Sequence, residues 1–189
     1  MPAGSSFVRI RLTRPPMTAA EVLTRDQVDR AIARIAHEIA EKHPETSSLV
    51  VIGMQSGGVW IAERLAGHLA RIAEAPLTGS IDVSMYRDDI SMRPVTPVAP
   101  SRIPVDLAGR TVVLVDDVLY TGRTVRAALA ALNDHGRPGA VRLAVMVDRG
   151  HRELPIRPDF VGKNIPTHLD DEVSVGPEGV IVARPGADA

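Results

Sequence analysis

The chain contains no cysteine, few aromatic residues and no long apolar run. The absence of cysteine excludes disulfides, thiolate zinc sites, iron–sulfur clusters and a cysteine nucleophile. Aromatic residues make up only 3%, which argues against a stacking platform for single-stranded nucleic acid. No apolar run approaches the roughly 18 residues that a membrane-spanning helix needs, so we expect a soluble, cytoplasmic protein with no membrane partner.

An excess of charge of either sign is also missing. The chain has 22 Lys and Arg residues against 23 Asp and Glu residues, a net charge of −1. No global attraction to nucleic acid follows, so any RNA binding must come from a local patch. The length of 189 residues and the 44% of hydrophobic residues predict one domain with its own core.

The N-terminal stretch differs in composition from the rest of the chain. Three arginines and no acidic residue precede a Pro-Pro pair at residues 15–16. An arginine-rich transit peptide fits this composition, but the prolines oppose an amphipathic helix, so we favour a frayed or strand-like extension. We therefore predict an extension over residues 1–20 and a single domain over residues 21–189.

Hydrophobic periodicity predicts alternating helices and strands. Apolar residues at three- and four-residue steps predict helices from Asp26 to about Pro44, over 60–72 and over 125–132. Apolar or alternating runs predict strands over 49–52, 81–86, 111–115 and 141–147, and a hairpin over 172–175 and 180–183. This alternation is typical of an α/β protein with a mostly parallel sheet.

A long polar connection interrupts this pattern. Residues 87–110 contain four prolines and no clear periodicity. A connection of this length inside a compact domain is more often functional than filler, so we interpret it as a lid.

The residues after the 111–115 strand carry the strongest chemical signal. Asp116 and Asp117 are adjacent carboxylates, which need a cation or a polyhydroxyl partner to offset their repulsion. The turn that follows, with Thr121, Gly122 and Thr124 before a helix, offers hydroxyls and backbone N–H groups to a phosphate. A ribose phosphate fits both features, and a solvated acidic pair beside a helix cap remains the alternative.

Several longer sequence segments resemble those of known families. The sequence VVLVDDVLYTGRT at residues 112–124 resembles the PRPP-binding motif of type I phosphoribosyltransferases. VDRGHRELPIR at 147–157 and VGKNIPT at 161–167 are similar, more specifically, to the PyrR family. The resemblance implies the type I phosphoribosyltransferase fold, a central sheet flanked by helices with a small hood formed from the chain ends.

This resemblance also implies two functions. One is a uracil phosphoribosyltransferase, which makes UMP and diphosphate from uracil and PRPP with Mg²⁺ as cofactor. The other is uridine-nucleotide-dependent regulation of the pyrimidine (pyr) operon by binding its leader mRNA, by a homodimer or higher homo-oligomer. Two alternatives remain open, a purely regulatory protein with weak or lost transferase activity and a plain transferase without RNA binding.

The resemblance assigns roles residue by residue. Asp116, Asp117 and Arg87 would be catalytic, with the two aspartates holding ribose hydroxyls directly or through Mg²⁺. The 5′-phosphate would lie at residues 120–124. The PRPP-binding residues would be Val112, Val113, Leu114, Val115, Asp116, Asp117, Val118, Leu119, Tyr120, Thr121, Gly122, Arg123 and Thr124. The pyrophosphate loop would be Gln55, Ser56, Gly57 and Gly58, covered by Arg102. The uracil-binding residues would be Asp148, Arg149, Val161 and Gly162. The RNA-binding residues would be Arg34, His37, Arg152 and Arg157.

The sequence departs from the family pattern at two positions. The pyrophosphate loop of family members commonly reads Thr-Arg-Gly, whereas this chain has Gly57 in place of the arginine. One lost charge-assisted contact costs about 1.5 to 3 kcal/mol, so we expect weak transferase activity. Ala33 stands where RNA-binding relatives can have threonine.

Overall fold

The computed structural model describes residues 17–55, 57–86 and 100–185 of the chain. Its helices and strands are β1 (Met17–Thr24), α1 (Arg25–Lys42), β2 (Leu49–Met54), α2 (Gly58–Ile72), β3 (Leu77–Ile81), β4 (Thr111–Leu119), α3 (Arg123–Leu132), β5 (Ala140–Asp148), β6 (Phe160–Asn164), β7 (Glu172–Gly176) and β8 (Gly179–Pro185). Residues 1–16 and 87–99, Ser56 and residues 186–189 lie outside the described part.

Strands β2 to β6 form a five-stranded sheet in the order β3-β2-β4-β5-β6, and all four pairings are parallel. Every residue of β2 is buried, as is the start of β4 from Val112 to Val115. Continuous apolar strands of this kind are expected when both faces of a parallel sheet are covered. The predicted α/β architecture is therefore confirmed.

The side chains of β4 alternate between two hydrophobic cores. Val113 and Val115 pack into the core beneath α1 and α2, whereas Val112 and Leu114 pack into the core beneath α3. This alternation follows from the two-residue period of a strand. The central strand thus fixes the helical layers on both faces of the sheet, and its carboxyl end fixes the position of the residues that follow.

Helix α1 begins and ends close to the predicted limits. Thr24 caps it by a reciprocal capping box, in which Thr24 Oγ1 accepts from the backbone N–H of Gln27 while the Gln27 side chain accepts from Thr24 N–H. The helix ends at Lys42, two residues before Pro44, and its apolar stripe, including Ile32 and Ile39, is completely buried.

A second, antiparallel sheet forms the hood, in the order β1-β8-β7. The predicted hairpin is confirmed as β7 and β8, and β1 pairs along β8 from Met17 opposite Pro185 to Thr24 opposite Gly179. Strand β1 therefore includes the last four residues of the stretch that we predicted to be an extension.

An ion pair with a buried carboxylate ties the hood to the chain that leads into it. Asp171, whose side chain is 1% exposed, accepts two hydrogen bonds from Arg184 at 2.9 and 3.0 Å and one from the backbone N–H of His168. The hydrogen bonds from Arg184 and His168 hold the pKa of Asp171 well below its usual range, and the hydrogen bond to the Asp171 carboxylate raises the pKa of Arg184. Asp171 therefore remains ionised and fixes residues 168–171.

Three element predictions were wrong. The predicted strand over 81–86 is instead β3 at Leu77–Ile81 followed by a 3₁₀ turn at Ser84–Tyr86. The Asp82 carboxylate accepts from both the backbone N–H and the hydroxyl of Ser84, and this local bonding favours a turn over a strand. Strand β6, at Phe160–Asn164, was missed because its sequence, FVGKN, has neither an apolar run nor alternation.

The third error concerns β4, which does not end at Val115. It continues to Leu119, with Asp116 opposite Val145 and Leu119 opposite Asp148. Because β5 extends equally far, the pairing continues despite the polar side chains. The two aspartates therefore lie within the strand and not in the loop after it.

Candidate active site

The two aspartates of β4 differ in burial and share one bonding pattern. Asp116 is 7% exposed, and Asp117 is half-buried. Each carboxylate accepts from the backbone N–H of the next residue, Asp116 Oδ1 from Asp117 at 3.0 Å and Asp117 Oδ1 from Val118 at 2.7 Å. These bonds orient both side chains at the carboxyl end of the sheet, where open α/β sheets bind their ligands.

The predicted pyrophosphate loop meets Asp117 directly. A Cβ atom added to Gly57 would lie 2.0 Å from Asp117 Oδ2, so the carboxylate occupies the space that a side chain at position 57 would need. A Cβ on Gly58 would lie 2.1 Å from the Val115 carbonyl oxygen. Because glycine has no Cβ, the first turn of α2 can pack against β4. The structure therefore brings the predicted ribose and pyrophosphate residues together.

A cavity of about 320 Å³ lies at the predicted 5′-phosphate loop. Its lining includes Asp116 and residues 118–125. Gly122 has φ of +92° immediately before α3, a conformation that favours glycine, and Thr121 Oγ1 accepts from Arg123 N–H at 3.3 Å. The loop thus directs hydroxyls and the amino end of a ten-residue helix toward the cavity, which suits a phosphate.

The other wall of this cavity comes from a distant part of the chain. Glu153 lines the cavity and forms an ion pair with Arg123, with Arg123 Nε 2.7 Å from Glu153 Oε2. The backbone N–H groups of Glu153 and Leu154 both donate to the Thr121 carbonyl oxygen, at 3.0 and 3.1 Å. Sequence analysis missed Glu153. Its position in the family-specific segment VDRGHRELPIR was the available signal for a role at the site.

The predicted uracil residues lie on β5 and β6, which are neighbours. Asp148 ends β5, and Val161 and Gly162 lie on β6, with Val161 opposite Val145. Asp148 Oδ1 accepts from Gly150 N–H at 3.0 Å, and Asp148 Oδ2 pairs with Arg152 at 2.5 Å. Asp148 therefore lies beside Leu119 at the end of β4, and β6 lies one strand further from β4.

Arg149 is buried behind the phosphate loop. It is 7% exposed, and its guanidinium carbon lies 4.3 Å from the centre of the Tyr120 ring. Arg149 Nε donates to Thr167 Oγ1 at 3.1 Å, and Nη2 donates to the His168 carbonyl oxygen at 2.7 Å. Arg149 therefore joins Tyr120 of the phosphate loop to residues 167–168, and Thr167 is a second residue that sequence analysis missed.

Of the four predicted RNA residues, Arg34, His37 and Arg157 are exposed. Arg34 lies on α1 and reaches β6, where its Nη2 donates to the carbonyl oxygens of Val161 and Gly162, both at 2.8 Å. The outer face of α1 is therefore in contact with the predicted uracil residues.

Arg152, the fourth predicted RNA residue, is half-buried and bonds internally. Besides its ion pair with Asp148, it donates to the carbonyl oxygens of Tyr120 at 2.8 Å, Gly150 at 3.1 Å and Ile156 at 3.1 Å. These contacts hold the turn after β5 against the end of β4. The four-residue spacing of Asp148 and Arg152 was a visible signal for this pair.

The remaining predicted residues belong to the pyrophosphate end and the lid. Ser56 and Arg87 lie outside the described residues, as does most of the predicted lid. Arg102 forms an isolated bridge with Ser80 at the edge of β3 and lines a separate cavity of about 520 Å³ between α2 and β3. Gln55 N–H donates to the Ile81 carbonyl oxygen at 2.9 Å, which holds the pyrophosphate loop to the end of β3.

The donors at this site suit magnesium. Carboxylate oxygens are the side-chain ligands that Mg²⁺ prefers, usually one or two of them together with water and substrate oxygens. Asp116 supplies such oxygens in the lining of the cavity, and Asp117 supplies them beside Gly57. Among the described residues, no cluster of three or more His, Cys, Asp or Glu side chains could hold a metal alone. Substrate or water oxygens would therefore complete the coordination.

Comparison with known proteins identifies the family. Residues 19–180 match the model of the phosphoribosyl transferase domain. The chain is 49% identical over 177 residues to a bifunctional protein PyrR of Roseiflexus sp., covering 89% of this chain and 97% of that protein. It is 54% identical to a bifunctional protein PyrR of Streptomyces coelicolor, covering 83% and 82%. The chain belongs to the PyrR family.

Solved structures agree with this fold. The hypoxanthine phosphoribosyl transferase of Trypanosoma cruzi matches with a TM-score of 0.68 at 20% identity, covering 88% of this chain and 91% of that one. A hypoxanthine phosphoribosyltransferase of Staphylococcus aureus matches with a TM-score of 0.62 at 18% identity, covering 79% and 80%. The predicted family, the type I phosphoribosyltransferase fold and the transferase class are therefore confirmed. Among the described residues, no helix has the length and apolarity to cross a membrane.

Proposed function

We propose that this protein transfers the phosphoribosyl group of PRPP to N1 of uracil, and that it regulates pyr operon expression by binding leader mRNA in response to uridine nucleotides. The family supports both activities. The observation that carries the transferase is made at the carboxyl end of β4, where Asp117 contacts the backbone of Gly57 and Asp116 lines the proposed 5′-phosphate cavity.

In this reaction the bond from the ribose C1 to uracil N1 forms while the bond to pyrophosphate breaks. The loop at Thr121–Thr124 would bind the 5′-phosphate, and Asp116 and Asp117 would accept hydrogen bonds from the ribose hydroxyls. The backbone at Gly57 would face the pyrophosphate, and Asp148 with Val161 would orient the uracil. Catalysis then rests on positioning two reactants and excluding water, because the sugar has oxocarbenium character in the transition state.

We propose Mg²⁺ as the cofactor, held by Asp116 and Asp117 directly, through water or through PRPP. When bound, it neutralises charge on the leaving pyrophosphate. The chain itself supplies no arginine at position 57 for this purpose, so we expect slower turnover than in relatives that have one. We also propose a cytoplasmic location and a homodimer or higher homo-oligomer, which light scattering would measure.

The transferase is tested by measuring UMP formation from uracil and PRPP with Mg²⁺. We expect Asp117→Asn to lower kcat/KM by about 10- to 100-fold, because a carboxylate that contacts the ribose and the metal is lost. Asp170→Asn, at an exposed carboxylate on the chain before β7, is the control and should leave kcat/KM unchanged. Equal activity of the two variants would contradict the assignment of Asp117.

RNA binding is tested with a transcript of the leader that precedes the pyrimidine genes of the same genome. Arg157→Gln should weaken binding and reduce the dependence of affinity on salt by about one charge, whereas Arg137→Gln, also exposed, should not. RNA binding without UMP formation would indicate the purely regulatory alternative. UMP formation without RNA binding would indicate the plain transferase.

A further inference from the structure

Residues 150–157, which we call the wall loop, are bonded to the phosphate loop at several points. Two backbone N–H groups of the wall loop donate to the Thr121 carbonyl oxygen, and Arg152 donates to the Tyr120 carbonyl oxygen at 2.8 Å. A Cβ atom on Gly122 would lie 3.3 Å from Ile156 and 3.4 Å from Leu154. The two loops are therefore packed and bonded as one unit, so movement of either one is transmitted to the other.

One contact between these loops involves charge. Glu153 places a carboxylate at the wall of a cavity that suits an anion, where it would repel a phosphate unless it were neutralised. Arg123 neutralises it in this structure through the 2.7 Å ion pair. A phosphate that enters the cavity brings about two negative charges, which attract Arg123 and repel Glu153.

The same wall loop also carries an exposed residue assigned to RNA. Arg157 lies four residues beyond Glu153 and is exposed to solvent, while Arg123 lies at the first turn of α3 beside the cavity. A change at the Arg123–Glu153 pair therefore acts on the wall loop, which borders the proposed phosphate cavity at Glu153 and carries the proposed RNA-binding residue Arg157.

We propose that Glu153 is a positioning residue that couples the occupancy of the 5′-phosphate cavity to the RNA-facing part of the wall loop. The proposal rests on the function proposed above. With the cavity empty, the Arg123–Glu153 pair holds the wall loop in the arrangement seen here. When the phosphate of a uridine nucleotide enters, Arg123 turns to the phosphate, Glu153 is released, and the wall loop adopts the arrangement that binds RNA.

The size of the effect follows from exposure. The side chains of Arg123 and Glu153 are 45% and 52% exposed, so solvent screens their attraction. UMP changes the RNA affinity by some factor, and we therefore expect the pair to contribute ~3- to 5-fold to that factor. Linkage requires that weakening the pair favour nucleotide binding as well as RNA binding.

The experiment compares RNA affinity with and without saturating UMP, using the leader transcript as the probe. For Glu153→Gln we expect RNA affinity without UMP to rise ~3- to 5-fold, with the ratio between the two conditions falling by the same factor. Calorimetry should show UMP binding tighter by a similar factor, whereas a merely structural defect would weaken it. Glu178→Gln breaks an exposed pair with Arg25 at 3.6 Å in the hood and should change neither value.

Arg123→Gln breaks the same pair from its other side. We expect it also to raise RNA affinity without UMP but to weaken UMP binding, because Arg123 itself attracts the phosphate. It serves as the test if Glu153→Gln does not fold. An unchanged RNA affinity without UMP in the folded variant would overturn the proposal.

Failure of the proposal and failure of the proposed function give different results. If UMP changes the RNA affinity of the wild-type protein and of Glu153→Gln by the same ratio, the coupling role of Glu153 is overturned alone. If the wild-type protein binds RNA equally with and without UMP, the regulatory function is overturned together with it.

Discussion

The two regions that we propose bind the phosphates of PRPP are built in different ways. At the 5′-phosphate end, residues 120–124 are supported from behind by Arg149 and from the side by the wall loop. At the proposed pyrophosphate end, Gly57 supplies only backbone, and a Cβ added to it would lie 2.0 Å from Asp117 Oδ2. The proposed phosphoribosyl end is therefore held by contacts within the chain, whereas the proposed leaving-group end would depend on the metal and the substrate.

This difference separates binding from turnover. Support around the 5′-phosphate serves both a transferase and a nucleotide-dependent regulator, because both must hold the same ribose phosphate. A cation at the pyrophosphate loop serves only the transferase, since UMP has no pyrophosphate. The contacts within the chain are thus most numerous at the part of the site that both proposed functions need.

The largest loss of affinity is expected at the proposed 5′-phosphate end, where the loop depends on backbone geometry. Gly122→Ala forces a side chain into φ of +92° and against Ile156, a strain of about 1 to 2 kcal/mol. We expect PRPP and UMP affinity to fall by about tenfold or more, as measured by calorimetry. Gly67→Ala, in the middle of α2 with no atom within 4 Å of the added Cβ, should leave affinity unchanged. An equal loss in both variants would contradict this account of the phosphate loop.

Substitution of Gly57 by arginine tests the proposed pyrophosphate end of the site. A Cβ at position 57 must displace the Asp117 carboxylate, so Gly57→Ala should lower kcat several-fold. Gly57→Arg suffers the same displacement but adds a cation for the leaving group, so we expect about tenfold faster turnover than in Gly57→Ala. Steady-state UMP formation measures both. If the alanine and arginine variants turn over equally, the missing guanidinium does not limit this enzyme.

The smallest effect concerns the support behind the phosphate loop. Asp171 fixes His168, whose carbonyl oxygen accepts from Arg149, which lies over Tyr120. Because the folded pKa of Asp171 is lowered, its stabilising effect is present above the unfolded pKa of about 3.9 and is lost as pH falls below that value. Asp171→Asn should therefore lower the urea midpoint at pH 7, with the gap from wild type narrowing below about pH 4. A gap that is unchanged at low pH would contradict the ionised role of Asp171.

Local patterns in the sequence predicted much of the fold. The helix at Arg25–Lys42 and the buried part of β4 follow from hydrophobic periodicity alone. Strand β6 could not be predicted, because its FVGKN sequence is stabilised by pairing with β5 and not by its own pattern. The extension of β4 through Asp116 and Asp117 likewise depends on the length of its partner strand.

The site was predicted less completely than the fold. The motif at residues 112–124 contains most of the residues that line the proposed 5′-phosphate cavity, because these residues are consecutive in the chain. Glu153, Arg149 and Thr167 reach this cavity or its support from elsewhere in the chain, and only tertiary structure reveals such contacts. The inward orientation of Arg152 shows the same limit, because a resemblance assigns residues to a function without showing which way they point.

The pairing of β1 with β8 has a topological consequence. The described part of the chain begins at Met17 and ends at Pro185, and these residues lie opposite each other in the pairing of β1 with β8, so the polypeptide traces an almost closed ring. A short peptide bridge between these two points would turn the protein into a cycle, and new ends could then be opened elsewhere by circular permutation. Attachments made at Met17 and at Pro185 would emerge side by side.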